Sequence, residues 1–138
     1  MGWDIHAHFE IKLNGKWEHY SHPRIQRHYR LFHRIAGVRP SRSFEEDPIS
    51  LPKGLPFDMS VTVALCAKHW IADGHTWTWL SAKEIKMLME TPFIKKDWEF
   101  EHKEVGYLFG NGWGSWFENP KPYPKEIEDI RFICWFDN

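Results

Sequence analysis

The first strand-like segment carries the densest chemistry. From Asp4 to Leu13 the chain alternates, with Ile5, Ala7, Phe9, Ile11 and Leu13 on one side and Asp4, His6, His8, Glu10 and Lys12 on the other. A side-chain period of two is the mark of a strand with one buried face. Its other face offers a carboxylate beside two imidazoles, groups that move protons or bind metal near neutral pH. A second cluster follows in Trp70 through Leu80, where Asp73 and His75 flank Gly74 and are followed by Thr76, Thr78 and Trp79. Here an imidazole can exchange a proton, hydroxyls can donate to phosphate oxygens, and an indole can stack on a base. The plain alternative for both clusters is structural: an exposed strand, and a turn whose Asp bonds nearby backbone.

Arginine supplies the third component. Six of the seven arginines, Arg24, Arg27, Arg30, Arg34, Arg39 and Arg42, fall within nineteen residues, with no Asp or Glu between Glu18 and Glu45. The planar guanidinium matches phosphate oxygens in a way that Lys does not. The competing reading is a solvated basic helix face. Together these residues suit a small, anionic, flat-based ligand held in a pocket. The candidate ligand-binding residues are Arg27, Tyr29, Arg39, Ser60, Thr76, Thr78 and Trp79. His6 and His75 are the candidate acid–base pair, with Asp4 or Asp73 orienting an imidazole. One imidazole would take a ribose 2′-hydroxyl proton and the other would protonate the leaving oxygen. This chemistry needs no cofactor. The competing chemistry is a divalent metal on Asp4, His6, His8 and His75.

Several motifs in combination resemble a known group. They are Met1-Gly2-Trp3-Asp4-Ile5-His6, Asn14-Gly15-Lys16-Trp17, Arg27-His28-Tyr29-Arg30-Leu31-Phe32, Ala36-Gly37-Val38-Arg39, Gly54-Leu55-Pro56-Phe57-Asp58-Met59-Ser60, and Trp70 through Leu80. Over about residues 1 to 85 the chain is similar to small phage-encoded proteins of unassigned function that open Met-Gly-Cys-Asp-Ile-His. Trp3 stands where those proteins carry Cys, so a thiol nucleophile is excluded there. Thr76 and Thr78 replace two serines and keep the hydroxyls. The resemblance implies phage origin, action in the cytoplasm of an infected bacterial host, and an anti-defence role. By analogy with other small phage proteins, the target is a nucleotide immune signal such as a cyclic dinucleotide or an ADP-ribose derivative. The leading expectation is a metal-independent phosphodiesterase. The alternatives are a non-catalytic sponge for such a nucleotide and a host-interaction protein.

The elements that must position these groups are partly legible. Asn14-Gly15 marks a hairpin, and a three-residue loop pairing Leu13 with Trp17 and Lys12 with Glu18 keeps apolar residues together. Pro23 opens a helix whose buried stripe is Ile25, Tyr29, Phe32 and Ile35, stopped at Gly37. Residues 38 to 60 read as a long loop with Pro40, Pro48, Pro52 and Pro56. Ser60 caps a short helix to Trp70. Ser81 and Glu84 form a capping box for a helix to Glu90. Phe93 to Val105 reads as extended, and Gly106 to Pro120 as a glycine–aromatic loop without a phosphate-loop pattern. Ile130 to Asp137 reads as a buried final strand. The expected fold is a single α+β domain of 138 residues, an antiparallel sheet with an N-terminal hairpin and two to four packed helices.

Composition narrows the function. Aromatics reach 17%, with nine Trp, which points to a pocket or a homo-oligomer interface. A net charge of -1 argues against duplex nucleic acid as a partner. No apolar run is long enough to span a membrane, and the polar N-terminus carries no signal peptide or myristoylation motif. Cys66 and Cys134 match no zinc or redox spacing and read as free thiols.

Overall fold

The computed structural model describes residues 2–96 and 126–138. The described elements are β1 (Asp4–Leu13), β2 (Lys16–Ser21), α1 (Tyr29–Ala36), α2 (Val61–His69), β3 (His75–Ser81), α3 (Ala82–Glu90), α4 (Pro92–Lys96) and β4 (Asp129–Asp137). The architecture is α+β: a four-stranded antiparallel sheet in the order β2-β1-β4-β3, with the β1–β2 hairpin at one edge. The last strand therefore lies in the middle of the sheet, paired with the first. The Gly106 to Pro120 loop and the extended run expected beyond residue 96 lie outside the described residues; 93–96 are helical.

Each face of the sheet carries helices. On one face Ile5, Ala7 and Phe9 of β1 and Ile130, Phe132, Cys134 and Phe136 of β4 meet Leu31, Phe32 and Ile35 of α1 and Ile85, Leu88 and Met89 of α3. On the other, Ile133 and Trp135 of β4 pack with Val63 and Ala67 of α2 in a smaller cluster that includes Trp70, Trp77 and Trp79. The alternating strands thus bury both sets of side chains. His8 and Glu10, expected on a solvent face, are 1% and 0% exposed because α2 covers that side.

Two local expectations are corrected. The hairpin closes with a two-residue turn, pairing Leu13 with Lys16 and Lys12 with Trp17. Asn14 and Gly15 both hold positive φ, 50° and 77°, as a tight primed turn requires. The resulting mismatch is absorbed by a bulge opposite Phe9 and Glu10, which lets Tyr20 pack on the main core while His19 faces the other side. Helix α1 starts at Tyr29 instead of near Pro23. The His28 side chain accepts from the Leu31 backbone N–H and caps it, and Gly37 (φ 73°) ends it. The Ser60 cap and the Ser81–Glu84 capping box form as expected. Pro92 both follows α3 and opens α4. Among the described residues no helix is long and apolar enough to cross a membrane.

Candidate functional site

Several of the candidate residues gather around Trp3. The Trp3 backbone N–H donates to Tyr29 Oη at 3.2 Å, fixing the start of β1 against the start of α1. Gly2 leaves room for this approach: a Cβ there would stand 1.9 Å from Arg27 Nη1 and 2.8 Å from Tyr29 Oη, so a side chain would displace the Arg27 guanidinium. Arg27 donates to Asp4 Oδ1 through Nε (3.1 Å) and Nη2 (3.0 Å). Arg39 lies beyond α1 in the left-handed region (φ 52°), with its guanidinium 4.3 Å from the Tyr29 ring centre and 5.8 Å from that of Trp3. His75 opens β3 with its ring edge-on to Trp3 at 4.4 Å.

Trp3, Tyr29, Arg39, Pro40, Ser41 and Phe44 line a cleft of about 580 Å³. Arg27, Arg30 and Arg131 pair with carboxylates among the described residues; Arg39 is exposed and has no such partner there. His75 Nδ1 lies 3.0 Å from Thr76 Oγ1, and its Nε2 is buried with no partner among the described residues. Thr76, a β-branched residue, holds φ 57°, a strained conformation of the kind concentrated at ligand sites. The cleft therefore combines the aromatic faces of Trp3, Tyr29 and Phe44 with the unpaired Arg39 cation, itself on left-handed backbone.

The proposed acid–base pair does not assemble. His6 shares its face of β1 with Trp135 and stacks on Trp70 at 4.0 Å, on the α2 side. His75 pairs with Phe136 and packs on Trp3, on the main-core side. The two imidazoles stand on opposite faces of the sheet. The orienting carboxylates differ too: Asp137 Oδ2 lies 2.5 Å from His6 Nε2, while Asp4 is occupied by Arg27 and exposed Asp73 closes a turn, its N–H bonded to the Trp70 carbonyl.

The residues of the competing metal reading are dispersed as well. His8 Nδ1 lies 3.0 Å from His19 Nε2 and 3.4 Å from His22 Nδ1, away from Asp4 and His75. Burial, and then the neighbouring His22, His19 and His6, push its pKa down to about 3. Among the described residues no three such donors are set to hold a metal ion.

Two of the expected ligand residues, Ser60 and Thr78, are structural, and a third, Trp79, lies away from the Arg39 cleft. Ser60 caps α2 and donates its N–H to Glu10 Oε2 at 2.6 Å. Thr78 is buried, its hydroxyl accepting from the Lys53 N–H at 3.1 Å. Trp79 packs in the second cluster under the Lys53 ammonium, 4.0 Å from its ring centre.

The pattern reading missed Trp3 as the seat of the cleft, Asp137 as the partner of His6, and a buried charge network. In that network Arg131 donates to Glu10 Oε1 (2.7 Å) and Asp58 Oδ1 (2.8 Å) and lies 4.0 Å over Trp17. Arg131 holds the Asp58 carboxyl below its ordinary range. A single Arg in an otherwise apolar strand was the available signal for it. No family model, curated protein or solved structure matches the chain.

Proposed function

We propose that the protein binds and sequesters a small phosphate-bearing nucleotide in the cleft between Trp3, Tyr29 and Arg39. The observation that carries this is the Arg39 guanidinium, stacked on Tyr29 at 4.3 Å, exposed and without a carboxylate partner among the described residues. A guanidinium anchored on an aromatic face keeps its N–H fork free for phosphate oxygens. Trp3 and Phe44 offer apolar surface for a base, and His75 packs edge-on against Trp3 and supports it.

Sequestration is favoured over cleavage because His6 and His75 stand on opposite faces of the sheet and no imidazole lines this cleft among the described residues. In the phage setting that the sequence motifs suggest, such binding removes an immune signal from the infected cell. A second reading, contact with a host protein, is supported by exposed Phe57, Val61, Leu65 and Ile71 on and around α2.

The test is depletion. The protein is incubated with cyclic dinucleotides and ADP-ribose derivatives, filtered, then heat-denatured, and both fractions are chromatographed. Intact ligand released on heating is expected, and Arg39→Ala should reduce capture at least tenfold. New products would replace sequestration with catalysis. Undiminished capture by Arg39→Ala, or no capture of any ligand in the panel, would overturn the proposal.

A further inference from the structure

We propose a second ligand site, in a cleft lined by Trp17 and Trp79, that takes a purine base with the carbonyl-and-N–H edge of guanine. The cleft encloses about 530 Å³ and adds Asp58, Ser81, Asp129 and Arg131 to its walls. It is separate from the Arg39 cleft, which lies beside Trp3.

Arg131 brings an unsatisfied donor to this cleft. The Arg131 side chain is 5% exposed; Nε and Nη1 are bonded to Glu10 and Asp58, and Nη2 is buried with no partner among the described residues. A buried guanidinium nitrogen left unpaired is costly, and such groups in native structures call for an explanation. Glu10 does not meet it: its oxygens bond Arg131 Nε and the Ser60 N–H, and neither bonds Nη2. The Ser81 hydroxyl accepts from the Glu84 N–H and makes no bond to Arg131 Nη2 either.

The remaining polar atoms set the complementary pattern. Asp58 and Asp129 each use Oδ1, for Arg131 and for the Ile130 N–H. That leaves each an acceptor oxygen. Asp129 and Arg131 are two positions apart on one face of β4, about 7 Å along the strand. A ligand edge with an acceptor beside two donors answers one donor and two acceptors. The guanine edge has that order: a carbonyl, a ring N–H and an exocyclic amine. The walls select against a cation, because Arg131 already lies 4.0 Å over Trp17 and Lys53 4.0 Å over Trp79. A neutral flat ring suits the remaining indole surface.

The full chain is titrated by calorimetry with guanosine, inosine and adenosine, nucleosides that carry no phosphate. Guanosine should bind at least tenfold tighter than adenosine. Inosine, which lacks the exocyclic amine, should fall about tenfold below guanosine. Asp129→Asn should erase the guanosine–inosine difference, and Trp79→Leu should weaken both, each with an unchanged circular dichroism spectrum. Arg39→Ala should leave guanosine binding intact, which separates this site from the sequestration cleft. Equal affinity for the three nucleosides, absence of binding, or loss of binding on Arg39→Ala would overturn the assignment. If a variant fails to fold, the inosine comparison on the native chain decides.

Discussion

Glu10 shows how much one buried carboxylate can organise. It is fully buried, yet it bonds Arg131 from β4 and the N–H that opens α2. Burying a charge is unfavourable unless partners replace water, and removing one partner leaves the other stranded. Glu10→Ala should therefore destabilise the fold by about 3–5 kcal/mol, since Arg131 would keep only the half-exposed Asp58. Urea unfolding of the two proteins measures this. A loss below about 1 kcal/mol would mean that water or rearrangement replaces Glu10, and that the network does not hold α2 to the sheet. The contrast with Asp4 is instructive, because its bond to Arg27 is exposed on both sides and orients a side chain without stabilising a core.

At the scale of elements, the hairpin and the chain just beyond it carry a pH response. His8 on β1, His19 on β2 and His22 after it converge, and burial is the first cause of the lowered pKa of each. Glu10 faces His19 and opposes its shift, while Arg24 adds to that of His22. An unfolded imidazole titrates near 6.5, whereas His8 in the fold takes its proton only near 3. Between those values the unfolded chain binds more protons, so stability is full above about pH 6.5 and falls as pH drops toward 3. Urea midpoints from pH 7.5 to 4.5 should decline, and His8→Leu should flatten the decline; an equal slope in both proteins would remove His8 as the source. The elements themselves were largely written in the chain: Asn14-Gly15, the Ser60 cap, the Ser81–Glu84 box and the alternation of β4 each have a local cause. The start of α1 was not, because His28 acts as a cap through its imidazole, outside the usual set of capping residues. The hairpin register was misread because the bulge that reconciles its two faces leaves no local signature.

At the scale of the molecule, what the pattern could not reveal is which strand lies beside which. The β4 alternation announces a buried strand, but nothing within it states that it inserts between β1 and β3, more than a hundred residues from its first partner. That insertion decides the site. It separates His6 from His75 by a full strand and puts them on opposite faces, while it brings Trp3 and His75 together across Phe136. The Arg39 cleft therefore depends on a residue that does not line it. Phe136 is fully buried, 6.1 Å from Trp3 and 5.2 Å from Phe32 of α1, so it sets where the indole can sit. Phe136→Ala should cost about 3–5 kcal/mol of stability. It should also weaken nucleotide capture at temperatures where circular dichroism shows the variant still folded, because Trp3 and the neighbouring His75 lose the surface that fixes them. Stability and capture are measured on the same preparation. Should the variant lose stability and yet capture as well as the native chain, the cleft would be organised by α1 and the Arg39 loop alone, and the central position of β4 would bear on folding without bearing on binding.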